Sequence, residues 1–183
     1  SAFAKWLRTE YMRLNFTFNA SVISVHYRIG DKLIESSVYP VRSYIGAVRD
    51  IAKKKAIKNP VIFLSSEDQT AINLFTEHSP YPFFYHPYKR PTFNCHGGLN
   101  IHDALAKDAM VRKFTGNYGE ASQEARKGNC SFSLKPNGIS SIVNLFLALE
   151  SRYVLCDRSS NWCRLLSELT DGESFDIRSF KPN

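Results

Sequence analysis

The sequence predicts an α/β domain, a parallel sheet covered by helices on both faces. Three observations carry that prediction. Short runs rich in Val, Ile and Leu recur at Ala20–Tyr27, Val61–Ser65 and Arg152–Cys156. Segments of helical period alternate with them along the chain. The length, 183 residues, suits one domain with a real core, since domains commonly run about 100–200 residues.

Ala20–Tyr27 reads as a buried strand ending in the polar turn Arg28-Ile29-Gly30-Asp31. The next element is a helix from about Pro40 to Ala56, with Val41, Tyr44, Ile45, Val48, Ile51 and Ala52 at helical spacing. Pro40 suits its first turn, and Lys53-Lys54-Lys55 lie where cations oppose the helix dipole. Asn59-Pro60 stops it, strand Val61–Ser65 follows, and Glu67-Asp68 suits the start of a helix to about His78. A short strand is expected near Pro82–Tyr85, with Tyr81, Phe83, Phe84, Tyr85 and Tyr88 as packing aromatics.

Residues 87–138 read as a long loop or insert with one helix: Pro87–Asn100 loop-like, Ile101–Phe114 helical, Thr115–Gly138 an exposed loop rich in Gly, Asn, Ser and Lys. A helix from Ser140 to Glu150, strand Arg152–Cys156 and a helix from about Ser160 to Leu169 close the reading. The last helix is expected to carry Trp162, Leu165, Leu166 and Leu169 on one side. In parallel sheets of this Rossmann-like kind ligands bind outside the carboxyl ends of the strands. That singles out His26–Lys32, Ser65–Asp68 and Asp157–Ser160.

Composition narrows the function classes. Hydrophobic residues at 43% and charged residues at 22% exclude disordered and collagen-like chains. No run approaches the roughly 18–20 apolar residues of a membrane span. The chain opens Ser1-Ala2-Phe3 without Met or a signal-type run, as a mature product or an excised piece would. Residues 1–58 hold 11 Lys/Arg against 4 Asp/Glu, while 59–183 hold 13 of each, so the charge excess is local and favours a local anionic partner.

Cys95, Cys130, Cys156 and Cys163 are spaced by 35, 26 and 7 residues, which matches no common zinc framework and leaves two disulfides with three pairings open. Glycosylation-type triplets begin at Asn15, Asn19 and Asn129, a mild lean towards a secretory compartment.

Two cations and a histidine in His26-Tyr27-Arg28-Ile29-Gly30-Asp31-Lys32, followed by Glu35, suit a diphosphate, because Arg offers a planar fork and Lys a point charge. Neither a P-loop nor GxGxxG is present, and local spacing alone favours an ordinary strand-to-helix turn with surface ion pairs. Arg158-Ser159-Ser160-Asn161 offers hydroxyls and backbone donors at a helix start, a phosphate cradle or a plain N-cap. For Glu67-Asp68, capping outranks a role with sugar hydroxyls. No Asp-x-Asp occurs, which argues against holding a nucleotide diphosphate through a divalent metal. His78, His86, His96 and His102 lack a compact metal-ligand spacing.

The run Ser24–Lys32, continuing through Glu35 to Tyr39-Pro40, resembles the donor-site motif of the α1,6-fucosyltransferase and nodulation fucosyltransferase superfamily. Val61–Asp68 is similar to that family's strand with paired acids, and Tyr153–Arg164 to its strand and Cys-x2-Ser-Ser-x2-Cys-Arg segment. The matches cover about residues 20–75 and 139–170, in the right order. The resemblance implies the donor-binding half of a GT-B-type glycosyltransferase, transferring fucose with inversion from GDP-fucose to a glycan acceptor, with no cofactor and no metal. It places Arg28 on the β-phosphate with His26 beside it. Ser159 and Ser160 complete the cradle, Asp31 and Asp68 line the donor site, and Asn144 lies in the guanine region. Glu35 is the acceptor-activating base, supported by Lys32. Cys156 and Cys163 pair, leaving Cys95 and Cys130 for each other. It further implies the Golgi lumen, an acceptor-building N-terminal half outside this chain, and membrane attachment only through an upstream anchor. Departures from the family pattern are Ile29 where a second Arg is common, a Glu one residue closer to Asp-Lys, and Asn144 in place of an acid. A non-catalytic GDP-sugar-binding module is the alternative. A basic polyanion-binding domain ranks last, since no RNA motif is present and nucleic acid is not an expected partner.

Overall fold

The computed structural model describes residue 9 and residues 19–29, 38–88, 93–95, 130–132 and 138–180. Strand β1 (Val22–His26) leads to helix α1 (Val41–Lys54), β2 (Val61–Ser65), α2 (Gln69–His78) and β3 (Phe83–Phe84). Short strands β4 (Phe93–Cys95) and β5 (Cys130–Phe132) follow, then α3 (Gly138–Leu149), β6 (Tyr153–Cys156), α4 (Asn161–Leu169) and β7 (Glu173–Asp176). A 3-10 turn, Ile177–Ser179, comes last. The main sheet is five-stranded in the order β3-β2-β1-β6-β7, and every pairing in it is parallel. This is the Rossmann-like α/β arrangement expected from the alternation of strands and helices.

The five residues of β1 are all buried, which is why the strand reads as a continuous apolar run. On one face Ile23, Val25, Ile62, Leu64 and Leu155 meet α1 and α2 through Tyr44, Val48, Ile51, Ala71 and Phe75. On the other, Val22, Phe63, Val154 and Cys156 meet α3 and α4 through Val143, Leu147, Cys163 and Leu166. Ser24 reaches into this second layer, where its Oγ donates to the Ala148 carbonyl (3.1 Å) and hydrogen-bonds Ser151 Oγ (2.7 Å).

Several boundaries differ from the sequence expectation. Ala20 and Ser21 form a turn before β1. Pro40 is the N-cap of α1, not its first residue, and the helix ends at Lys54. Ala56 takes a left-handed φ of 55°, with its N–H on the Lys53 carbonyl and the Ile57 N–H on that of Ala52. That pair of bonds closes a helix end usually marked by glycine, so an alanine there hid the stop. Helix α3 opens at Gly138 instead of Ser140. On α4 only Cys163 and Leu166 are buried; Leu165 and Leu169 are 37% and 50% exposed. The stripe of α4 that meets the sheet runs instead through Cys163 and Leu166, with Trp162 packed partly against it.

Strands β4 and β5 fall in stretches read as loops. They pair antiparallel, with Cys95 opposite Cys130. Three residues are too few for a period of two to declare itself, and each strand exists only through a partner 35 residues away. The expected helix Ile101–Phe114 lies outside the described residues. Strand β7 and its 3-10 turn had no reading in the sequence; β7 is half-exposed at the sheet edge, so it lacks an apolar signal.

Gly172 sets the entry into β7. A Cβ there would lie 2.1 Å from the Arg152 carbonyl oxygen, the atom that accepts from the Glu173 N–H at 2.8 Å. Backbone cannot yield as a side-chain tip can. Gly172→Ala is therefore expected to cost about 1–3 kcal/mol, the usual range for overpacking, measured as a lowered urea midpoint with unchanged m-value.

Candidate functional site

The strand order creates the site. From β1 the chain winds outward to β2 and β3, then returns to lay β6 and β7 on the other side of β1. The connections leave the carboxyl ends of β1 and β6 in opposite directions, and at such a switch point a crevice opens that helices do not fill. Register aligns His26 with Ser65, Val25 with Leu155, and Cys156 with Asp176. The segments after β1, β2 and β6 therefore emerge at one edge.

His26, Arg28, Val38, Tyr39, Tyr44, Asp157 and Ser160 surround a small pocket there, with room of about 10 Å³, roughly one water molecule. His26 is 3% exposed. Its Nδ1 lies 3.4 Å from Ser65 Oγ, and its Nε2 has no hydrogen-bond partner among the described residues. Burial, seconded by the Arg28 charge, pushes its pKa down to about 4 against a smaller opposing effect of Ser65. The imidazole is thus neutral at physiological pH. Tyr44 is held protonated as well, first by burial and then by the Asp157 carboxylate.

Protonation links the histidine to stability. Above pH 6.5 it is neutral in folded and unfolded chains alike; between 6.5 and about 4 only the unfolded chain takes up the proton. Stability therefore falls on acidification, by about 2 kcal/mol at pH 5, and the loss levels off below the folded pKa. Urea titrations at pH 7.5 and 5 should show this difference in the parent and lose it in His26→Gln.

The turn from β6 to α4 departs from expectation in one respect. The Ser159 N–H is occupied by Asp157 Oδ1 (2.9 Å) and the Ser160 N–H by the Asp157 carbonyl (2.9 Å). These two backbone donors are not open to a ligand. Ser160 is the N-cap residue, yet its hydroxyl makes no capping bond. Its Oγ is buried, without a partner among the described residues, beside His26 in the same pocket. Ser159 is exposed. The disulfide Cys156–Cys163 ties the end of β6 to the first turn of α4 across seven residues, so Asp157–Ser160 lie inside a closed ring.

A second polar cluster lies under α3. Asn144, 1% exposed, donates from Nδ2 to Tyr88 Oη (3.0 Å) and more distantly to the Ser66 carbonyl (3.4 Å). Tyr88 Oη in turn donates to that carbonyl (3.0 Å), and the His86 and Tyr88 rings are 5.2 Å apart. Asn144 Oδ1 is buried with no partner among the described residues. The sequence predicts Tyr88 as a packing aromatic; its hydrogen bonds here depend on the fold, which brings residues 66, 88 and 144 together. Asp68, on the same loop, caps α2 by accepting from the Thr70 N–H at 2.7 Å.

The structure thus brings His26, Arg28 and Ser160 together, whereas Asp68 caps α2 and Asn144 sits in the middle of α3, turned towards the Ser66 carbonyl; neither of these two lines that pocket. Asp31, Lys32 and Glu35 lie outside the described residues. Asp157, which holds the turn and lines the pocket, falls in the segment Asp157–Ser160 that the sequence singles out after a strand, though no particular role is expected of it there. No cluster of His, Cys, Asp or Glu suited to a metal ion occurs among the described residues. Chemically, the edge offers one guanidinium, one neutral imidazole, one serine hydroxyl and the amino end of α4, donors suited to an oxyanion, beside the Asp157 carboxylate, whose Oδ1 is engaged by the Ser159 N–H.

In comparisons with known protein families and with curated proteins, the chain matches none.

Proposed function

We propose that this domain binds the diphosphate and base of GDP-fucose at the carboxyl edge of its sheet. We further propose that it is the donor-binding half of a GT-B-type fucosyltransferase, delivering fucose with inversion to a glycan acceptor. One observation carries the reading. His26 Nε2 and Ser160 Oγ are buried side-chain atoms without partners among the described residues, and both residues line the pocket at the switch point. Buried polar atoms are normally satisfied, so two in one pocket are what a polar ligand would complete; Asn144 Oδ1, on α3, is likewise buried and without a partner among the described residues. Asn144 Oδ1 is an acceptor, matched to an N–H donor on a base. His26 and Ser160 can each donate to phosphate oxygen, and Arg28 supplies the charge.

In the proposed transfer the acceptor hydroxyl attacks the fucose anomeric carbon while the bond to the β-phosphate oxygen breaks on the opposite face. GDP leaves with the bonding pair, stabilised by Arg28 and Lys32. Glu35 takes the hydroxyl proton, a role typically worth about 10²–10⁴-fold. In any form of the protein that turns over, Glu35→Gln should lower kcat within that range and leave GDP affinity intact. Normal turnover would remove Glu35 from the mechanism.

The module without transfer activity has one observation in its favour, the room for only about one water between His26 and Ser160. A polyanion surface is disfavoured because the cations divide between opposite edges. Arg28 follows the carboxyl end of β1, whereas Lys55 pairs with Glu173 (2.6 Å) at the amino end of β7.

Calorimetric titration with GDP, in EDTA and then with Mg²⁺, tests the proposal, with UDP as control. Saturable binding that prefers GDP and ignores metal supports it. Equal GDP and UDP affinity, or no binding, overturns the donor-site assignment.

A further inference from the structure

One motif stands apart from the proposed site. The triplet Asn19-Ala20-Ser21 is complete for N-linked glycosylation, with a hydroxyl two residues on and no proline between. It occupies the turn that enters β1, where Asn19 and Ala20 are exposed. The Asn19 carbonyl accepts from the Val22 N–H (3.0 Å) and its Oδ1 accepts from the Ser21 N–H (2.8 Å). The carboxamide is therefore presented on a tight turn with its oxygen engaged, while its Nδ2 has no partner among the described residues. A second observation concerns the compartment. The buried Cys156–Cys163 disulfide is a bond that forms and persists in oxidising compartments, and the glycosylation machinery works in such a lumen.

We infer that Asn19 is an acceptor site for an N-linked oligosaccharide. The donor class is an oligosaccharide on a lipid diphosphate. The bond from Asn19 Nδ2 to the anomeric carbon of the first sugar forms, and that carbon's bond to the diphosphate oxygen breaks. The lipid diphosphate departs with the electron pair, and the amide proton passes to a base of the transferase. The position tolerates the product. Asn19 precedes the amino end of β1, and the strand's five residues span about 16 Å before His26 and Arg28. A glycan there leaves the carboxyl edge open.

Expression through a eukaryotic secretory pathway tests this, with the luminal fraction taken whether or not the protein is exported. Enzymatic deglycosylation in ¹⁸O water converts an occupied Asn to labelled Asp. Fragmentation of the tryptic peptide 14–28, which also contains Asn15, then reads the two positions separately. The expected result is label at Asn19, lost in both Asn19→Gln and Ser21→Ala, with GDP affinity unchanged in Asn19→Gln. Three results would each overturn the inference: disulfide-bonded luminal protein unlabelled at Asn19, label confined to Asn15, or label persisting in Ser21→Ala. None of them bears on the GDP site, which the titration tests separately.

Discussion

Arg28→Ala is expected to weaken GDP binding by about a hundredfold or more, enough to remove it from a calorimetric titration. Arg28 follows a fully buried strand and lines the pocket formed with His26 and Ser160. Hydrogen bonds to charged groups contribute about 1.5–3 kcal/mol each, and a guanidinium makes two in parallel to a phosphate. Losing both would account for a factor of that size at roughly 1.4 kcal/mol per tenfold. Arg28→Lys keeps the charge and loses the fork, so its affinity should fall between alanine and parent. A control on stability is built in, because Arg28 presses the neighbouring imidazole towards its neutral form. Its removal should raise the His26 pKa and soften the acid sensitivity described above. GDP affinity equal to the parent in Arg28→Ala, with His26 titration shifted, would show the residue in place and the ligand elsewhere.

The second large effect concerns the bridge between Cys156 and Cys163, both fully buried. Closing a ring of this length stabilises by about 2–3 kcal/mol in the chain-entropy estimate. The double variant Cys156→Ala/Cys163→Ala should lose about that much in urea denaturation, and the parent should lose a similar amount in strong reductant. The ring also contains the turn Asp157–Ser160, whose conformation rests on two hydrogen bonds from Asp157. Affinity for GDP should therefore fall along with stability. A bridge-free protein of parental stability and affinity would show that Asp157 alone suffices to hold the turn.

Local chemistry made much of the fold legible. Val61–Ser65 is legible to the residue because the six apolar or small side chains between Pro60 and Glu67 leave few alternatives. Helix α1 was legible through Val41, Tyr44, Val48 and Ile51, whose spacing is that of the face it buries. Its end was not, since Ala56 does the work of a glycine. The Cys156–Cys163 pairing, implied by the family resemblance, is present, whereas composition alone left three pairings open. Asp68 was legible as a cap because Asp before a helical run has few better uses. Ser160 was harder: its place at a helix start predicted a cap, and only burial showed its hydroxyl turned to the pocket instead.

What the sequence determined by itself is therefore periodic or adjacent: the strands β1, β2, β3 and β6, the helices between them, the turns after them and the residue types those turns carry. These depend on contacts within a few residues, which side-chain spacing encodes directly. The order of strands was decided only in three dimensions, by pairing β1 with β6 across 130 residues of chain. That pairing depends on which apolar faces can be buried together. It places the switch point between His26 and Ser160, brings Tyr88 onto Asn144, and gathers the unpartnered His26 Nε2 and Ser160 Oγ around one pocket. No local pattern records such encounters, because each side of the contact is stable in sequence terms without the other.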